Sequence, residues 1–351
     1  MGSPVAIDLF CGCGGLTYGM RNAGVRVLAG FDTDTKMKSI YEGNNSDSEF
    51  KIKDIRDVTS DEVIGIFDHH KGPRIIAGCA PCQPFSKINR KGGTRHKDYS
   101  LMDEFSRLVR EVKPDGVLME NVQNFPVHGK QIWNYFLESL EKAGLRYSWG
   151  IVDAARFGVP QHRLRFVLLA AKEKPTIPQG TFGPHGVRPY VTVMDAISDL
   201  PSIDSGYRDS SKLQHSCKSL SLDNLKRLEL TPIDGGSRED IPRKYWISTH
   251  KIHIGHSDTY GRMAWNKPAP TLTCRCVSIS NGRFAHPVQN RGISIREAAR
   301  LQSFPDLYIF PVSLEHAQKC IGNAVPPLMA EQLTRSLITS LLTRKRAHLE
   351  Y

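Results

Sequence analysis

The sequence predicts an α/β fold: a doubly wound, mostly parallel sheet, joined to a second, smaller domain of low regularity. Three observations carry this. Over roughly the first 170 residues, short apolar runs alternate with segments whose apolar residues recur at helical spacing, the pattern of βα units on a parallel sheet. Several apolar runs end in turns carrying Gly, Cys or acidic residues, at the rim where open α/β sheets bind ligands. After about residue 173 the alternation stops. Lys174 to Pro189 is rich in Pro and Gly, and from there to about Arg291 short strand-like pieces are mixed with much Ser, Asp and His.

Taken in order, Val5 to Phe10 reads as a buried strand, closed by the turn Cys11-Gly12-Cys13-Gly14-Gly15. A helix follows through Met20 and stops at Gly24. Arg26 to Phe31 is the second strand, ending at Asp32-Thr33-Asp34, with a helix to about Tyr41. Ser60 can cap a helix over Asp61 to Phe67, and Arg74 to Ala77 is a short strand. Leu101, Phe105, Leu108, Val109 and Val112 have helical spacing, and Pro114 ends that run. Gly116 to Met119 and Arg165 to Ala171 are further strands, and helical periodicity returns over Ile295 to Leu301 and Leu328 to Leu342. The chain has no internal repeat.

Composition narrows the function. With 40% hydrophobic and 24% charged residues in 351, a sizeable core is available and global disorder is excluded. No apolar run approaches the roughly 18 residues of a membrane span, and the first residues lack the basic-then-apolar pattern of a signal peptide. Lys and Arg number 47 against 36 Asp and Glu, a net charge of +11, which favours a polyanionic partner. Eight cysteines are too few for a disulfide scaffold, so free thiols in a reducing cytoplasm are expected.

Four constellations carry chemistry. The Gly turn after the first strand, with Asp32 at the end of the second, describes a nucleoside pocket: glycines let the backbone approach a ligand, and the carboxylate accepts from ribose hydroxyls. The turn is not the strict G-x-G-x-x-G of pyrophosphate binders. Cys79-Ala80-Pro81-Cys82-Gln83-Pro84 follows a strand; it reads as a redox pair or half a zinc site, as a nucleophile at Cys82, or as buried packing thiols. Glu120-Asn121-Val122 ends another strand, where a poorly solvated carboxyl can share or donate a proton. Arg163 and Arg165, at alternate positions, share a face if the strand begins there, and fixed cations stabilise charge developing on a ring. No metal site is expected: His250, His253 and His256 lack a clustered acidic or cysteine partner.

The order of these pieces says more than any one of them. The Gly turn, Asp32, Pro81-Cys82-Gln83, Glu120-Asn121-Val122, Gln161-x-Arg163-x-Arg165 and Ile321-Gly322-Asn323-Ala324-Val325-Pro326 follow one another along the chain. In this order the sequence resembles the C5-cytosine DNA methyltransferase family over residues 4 to 172 and again over about 291 to 331, with weaker likeness around Pro270-Thr271-Leu272-Thr273. The resemblance implies a methyltransferase (Rossmann-like) sheet from residues 1–180 plus 304–351 and a target-recognition domain over 181–303. It implies site-specific methylation of carbon 5 of a flipped-out cytosine in double-stranded DNA, within or descended from a restriction-modification system. Cys82 matches the nucleophile that adds to carbon 6, the step that makes carbon 5 reactive. Glu120 matches the carboxyl at ring nitrogen 3, and Arg163 and Arg165 match the rest of the pocket. Phe10, Gly12, Gly14, Gly15, Asp32, Asp54, Pro81, Leu101, Asn323, Ala324 and Val325 match positions around S-adenosylmethionine, with S-adenosylhomocysteine as product. Asp32 stands where the family often has Glu.

The run Ser86 to Ser100 carries Lys87, Arg90, Lys91, Arg95 and Lys97 against Asp98. Composition alone reads it as a solvated loop or as a lid whose cations meet phosphates, and the resemblance favours the lid, with Ser86 in the DNA-binding set and Gln83 and lid residues as candidates to fill the gap left by the flipped base. Thr271 matches a support near the flipped base, and Arg275, Arg283, Lys251 and Arg262 are further cations that can face DNA. Base flipping costs a few kcal/mol. The implied protein is a monomer of the bacterial cytoplasm with no membrane partner. Two rivals stand beside it. A tRNA cytosine-5 methyltransferase shares these motifs, but its Cys-Phe-Thr signature is absent here. A C-x-x-C thiol-disulfide oxidoreductase would use Cys79 and Cys82 and leaves Glu120, the Arg pair and the Gly turn unexplained.

Overall fold

The computed structural model describes residues 2–81, 99–128, 130–211, 213–248 and 258–343. Contacts divide the chain into two units. The first is Met1–Phe157, Leu164–Gly180 and Val325–Tyr351; the second is Gly158–Arg163 and Thr181–Ala324. The chain thus returns to the first unit at Val325, not at 304, because the helix Leu314–Asn323 packs on the helix Ile295–Leu301 within the second.

The first unit is built from β1 Val5–Leu9, α1 Gly15–Asn22, β2 Arg26–Asp32, α2 Met37–Asn44, β3 Glu49–Ile52, α3 Ser60–Phe67, β4 Arg74–Gly78, α4 Tyr99–Val112, β5 Gly116–Val122, α5 Phe125–His128, α6 Lys130–Lys142, β6 Arg146–Asp153 and β7 Leu164–Ala171. The seven strands lie in the order β3-β2-β1-β4-β5-β7-β6. Pairing is parallel from β3 to β5, and β7 runs antiparallel between β5 and β6. This is the mostly parallel α/β sheet that the alternation predicts.

Why these residues lie where they do follows from their faces. All five residues of β1, Val-Ala-Ile-Asp-Leu, are buried, as a central strand covered on both sides requires. The main core joins Ile7, Leu9, Phe31, Phe105, Val117 and Phe166, with Phe105 edge-on to Phe136 at 5.4 Å and Trp133 edge-on to Phe166 at 5.1 Å. Each such ring, fully buried, stabilises the fold by roughly 1.5–3 kcal/mol. The helix Pro327–Thr343 completes this unit. Gly19 of α1 lies so close to it that a Cβ there would stand 2.5 Å from Ala330 Cβ, and Leu337 and Leu341 cover Gly116 at the start of β5.

The second unit holds its backbone differently. Among its described residues are the helices Val193–Ile197, Leu222–Leu230, Ile295–Leu301 and Leu314–Asn323, with isolated bridges in place of named strands. Buried backbone carbonyls still need donors, and arginines supply them. Arg262, 1% exposed, donates to the carbonyls of Leu228, Thr231, His286 and Gln289 and to Asn290 Oδ1. Arg296 donates to Leu213, Pro305 and Tyr308. Arg291 grips Glu297 through two bonds of 2.7 Å. Arg262 is therefore an interior anchor and not a DNA contact, and Arg283 is likewise occupied, with Asp258 and the carbonyls of Gly235, Gly236 and Arg262.

Candidate active site

The carboxyl ends of β1, β2 and β4 share one edge of the sheet, because Leu9 pairs with both Phe31 and Gly78. At that edge the chain leaves β1 through Phe10 at φ 60, Gly12 at φ 51 and Gly14 at φ 90. Left-handed backbone suits glycine and costs a side-chain-bearing residue such as Phe10 about 1 kcal/mol or more, a strain that clusters at functional turns. Gly12 N donates to Asp32 Oδ2 at 2.9 Å, and Asp34 N donates to Oδ1 at 2.9 Å. The structure thus joins the expected Gly turn to the expected acid directly. A carboxylate has about four acceptor positions, so both oxygens can still accept from ribose hydroxyls.

Two observations test whether this edge fits a nucleoside-bearing cofactor. A Cβ at Gly12 would meet nothing within 4 Å, so the turn's backbone faces open space. Asp8, 1% exposed beneath the turn, gives Oδ2 to Thr17 Oγ1 at 2.7 Å, while Oδ1 has no partner among the described residues. An open backbone cradle and an unused buried acceptor fit such a group. Asp54 follows β3 at the same edge, where Lys53 N donates to the carbonyl of Asp32 at 3.1 Å. Its carboxylate accepts from Arg56 Nε at 2.9 Å and from the Arg56 backbone, and the Arg56 guanidinium holds it below the usual carboxylate range. Pro81 and Leu101 are half-buried, the latter on α4 against the core.

A second group forms where β5 outruns β4. The β4 pairing ends at Gly78 opposite Met119, but β5 continues against β7, with Glu120 opposite Val167 and Val122 opposite Arg165. Arg165 is therefore the diagonal neighbour of Glu120 on the same face. Its Nε lies 2.9 Å from Glu120 Oε1, and the Cys79 thiol donates to Oε2 at 2.7 Å. Glu120 is 3% exposed. The buried Asn121 donates to the carbonyl of Ala80 at 3.3 Å, tying the segment after β4 to β5. Cys79, Asn121 and Asp8 were not assigned these contacts by sequence. The C-x-x-C spacing was the one visible signal, and it gives no direction for the thiol.

Arg163 goes elsewhere. The strand begins at Leu164, so Arg163 lies outside it and the alternation argument does not reach it. Its guanidinium donates to the carbonyls of Leu272 at 2.8 Å, Gly322 at 2.9 Å and Ala324 at 3.2 Å. Gln161 accepts from Leu272 N at 2.8 Å, and Thr271 Oγ1 donates to the carbonyl of His162 at 2.7 Å. Residues 161–163 thereby hold the Thr271-Leu272 segment and the end of the helix Leu314–Asn323. Asn323 is exposed at that helix end, Ala324 caps it, and Val325 is buried. Arg275 is exposed. Cys82, Gln83, Ser86, Lys87, Arg90, Lys91 and Arg95 lie outside the described residues, as do Lys251, His250, His253 and His256.

The chain resembles known proteins over nearly its whole length. Residues 5–339 match the family described as C-5 cytosine-specific DNA methylase. A Type II methylase, M.HgiDII of Herpetosiphon aurantiacus, is 39% identical over 340 residues, covering 94% of each chain. The Type II methyltransferase M1.HphI of Haemophilus parahaemolyticus is 32% identical over 335 residues, covering 95% of this chain and 86% of the other. Among solved structures, one described as a DNA modification methyltransferase candidate encoded within an Escherichia coli prophage superposes with a TM-score of 0.76 at 25% identity, over 97% of this chain and 99% of that one. With the match running through both units, the chain belongs to the C-5 cytosine-specific DNA methylase family, close to bacterial Type II restriction-modification methylases.

Proposed function

We propose that this DNA cytosine-5-methyltransferase acts on a cytosine flipped out of double-stranded DNA, through a covalent adduct at Cys82. The observation that carries the reading is Glu120: a carboxyl 3% exposed, with a guanidinium on one oxygen and a thiol on the other. A buried carboxyl so held can meet ring nitrogen 3 and hold or pass a proton there as the Cys82 thiolate adds to carbon 6. Arg165 supplies a fixed cation beside the ring, at the carbonyl oxygen of carbon 2, and stabilises charge that develops there. Arg163 serves as a positioning residue, since its Nη1 and Nη2 donate to the carbonyls of Leu272, Gly322 and Ala324. Once carbon 5 carries the methyl group as well as its proton, loss of that proton re-forms the ring double bond from the C–H electron pair and expels Cys82 as a thiolate.

S-adenosylmethionine, when bound, supplies the methyl group and leaves as S-adenosylhomocysteine. Phe10, Gly12, Gly14, Gly15, Asp32 and Asp54 would hold its nucleoside, Pro81 and Leu101 its surroundings, and Val325 its methionine end, with Asn323 and Ala324 assigned by the family motif. Thr271 and Arg275 belong to target recognition, the role we give to the second unit. The excess of basic residues suits a DNA phosphate backbone. The enzyme works as a monomer in the bacterial cytoplasm, and no helix of the described residues is long and apolar enough to cross a membrane.

The test is a covalent trap. Duplex DNA carrying 5-fluorocytosine at the target should give a denaturation-resistant adduct with the wild-type protein and S-adenosylmethionine, because fluorine does not leave as a proton does. Cys82→Ser should give no adduct while still binding the duplex. An adduct that survives Cys82→Ser would remove the nucleophile from this residue.

A further inference from the structure

The chemistry above gives Cys79 no task, yet its thiol shares the Glu120 carboxylate with Arg165. Its Sγ stands 2.7 Å from Oε2, while Arg165 Nε stands 2.9 Å from Oε1. The two donors come from opposite sides. Cys79 follows the end of β4, Arg165 lies on β7, and Glu120 sits on β5, the strand between them. The last torsion of a glutamate is broad and roughly two-fold. One donor on one oxygen therefore leaves the carboxyl plane free to turn. A second donor on the other oxygen, from the other side, fixes it.

We propose that Cys79 is a positioning residue that sets the plane of the Glu120 carboxyl before cytosine enters. This rests on the reading of Glu120 given above. A thiol is suited to the place because it is a neutral, weak donor. It orients the carboxylate without the full charge that a lysine or arginine would add, and a second cation would oppose the proton that Glu120 has to hold. Each carboxylate oxygen keeps a further acceptor position, so the ring can be engaged while Cys79 and Arg165 stay bound. Asn121 supports the arrangement from below: its bond to the carbonyl of Ala80 fixes the chain one residue beyond Cys79.

The experiment compares the full-length wild type with Cys79→Ala, Cys79→Ser, Glu120→Gln and the double variant Cys79→Ala/Glu120→Gln. Single-turnover methylation is measured at saturating duplex and S-adenosylmethionine, beside duplex affinity. Misplacing a catalytic group by about an ångström costs on the order of 100-fold. Cys79→Ala should therefore slow the single-turnover rate by roughly 10- to 100-fold while changing duplex affinity by less than about threefold. Cys79→Ser should recover most of the rate, since its hydroxyl donates to the same oxygen. Because Cys79 acts through Glu120, the double variant should be no slower than Glu120→Gln alone. A wild-type rate for Cys79→Ala, equal losses for Ala and Ser, or a double variant slowed by the product of the single effects would each overturn the proposal. A wild-type rate for Glu120→Gln would instead overturn the reading of Glu120 on which it stands, and the proposal with it.

Discussion

Asp8 and His286 are buried titratable residues with opposite consequences. Burial pushes the Asp8 carboxyl up to about 7, with the Asp32 charge adding to the rise and the Thr17 hydroxyl opposing it. The ordinary value of 3.8 applies to the unfolded chain. Between these pH values the unfolded chain has released a proton that the folded one keeps, so rising pH favours unfolding, and the penalty is complete above about 7. It is on the order of 4 kcal/mol. Asp8→Asn should flatten the fall of melting temperature between pH 4 and 7, and equal slopes in both proteins would refute this. His286 has the reverse sign: burial pushes it down to about 4, so stability is lost as pH falls from 6.5 toward that value. At this scale the motif positions made Glu120 and Arg165 legible in the sequence, because adjacent strands bring them together. Cys79 was not, since spacing says nothing of where a thiol points. Arg163 misled, because alternation holds only inside a strand and the strand starts one residue later.

Elements were legible where their apolar pattern was strong. The α4 helix runs Tyr99–Val112 and the helix Ile295–Leu301 has the bounds that its periodicity predicts. β3 escaped because only Phe50 of its four residues is buried. β6 escaped because, at the sheet edge, only Val152 is fully buried and Trp149 and Ile151 stay about half exposed. α6 did carry a usable signal, Trp133, Phe136 and Leu140 at helical spacing, all buried on one stripe. Sequence also places no limit on how closely two helices approach. Gly19 makes such a limit: a Cβ there would stand 2.5 Å from Ala330 Cβ and 2.6 Å from the Pro327 carbonyl. Gly19→Ala should push α1 off the helix Pro327–Thr343 and cost about 1–3 kcal/mol. The N-terminus of α1 continues directly from the Gly turn, so the same variant should bind S-adenosylmethionine more weakly. Calorimetric titration and thermal melting check both, and an unchanged melting temperature would show that the helices separate freely.

At the scale of the molecule, each unit is discontinuous in sequence, and the first is closed only by chain that arrives after Val325. Apolar alternation could show two regions but not this late return, which only the family resemblance implied, and from 304; it depends on contacts between residues some 310 apart, such as Gly19 and Ala330. The two pH responses fall in different units, Asp8 in the first and His286 in the second. Unfolding followed by hydrogen exchange should therefore show the second unit opening earlier near pH 4.5 and the first losing its advantage near pH 8. One order at both pH values would contradict it. The arginine anchors of the second unit have a further consequence. A strand ladder couples neighbours residue by residue, so an insertion shifts every pair beyond it. A guanidinium fork fastens only the few carbonyls it touches, and the chain between fastenings can lengthen, shorten or change composition without disturbing them. Arg163, Arg262 and Arg296 thus make this unit a frame for exchangeable loops. On the proposed reading of this unit as the target-recognition domain, a lineage of such enzymes would acquire new target sequences by trading the spans between pegs while the pegs, and the fold, persist.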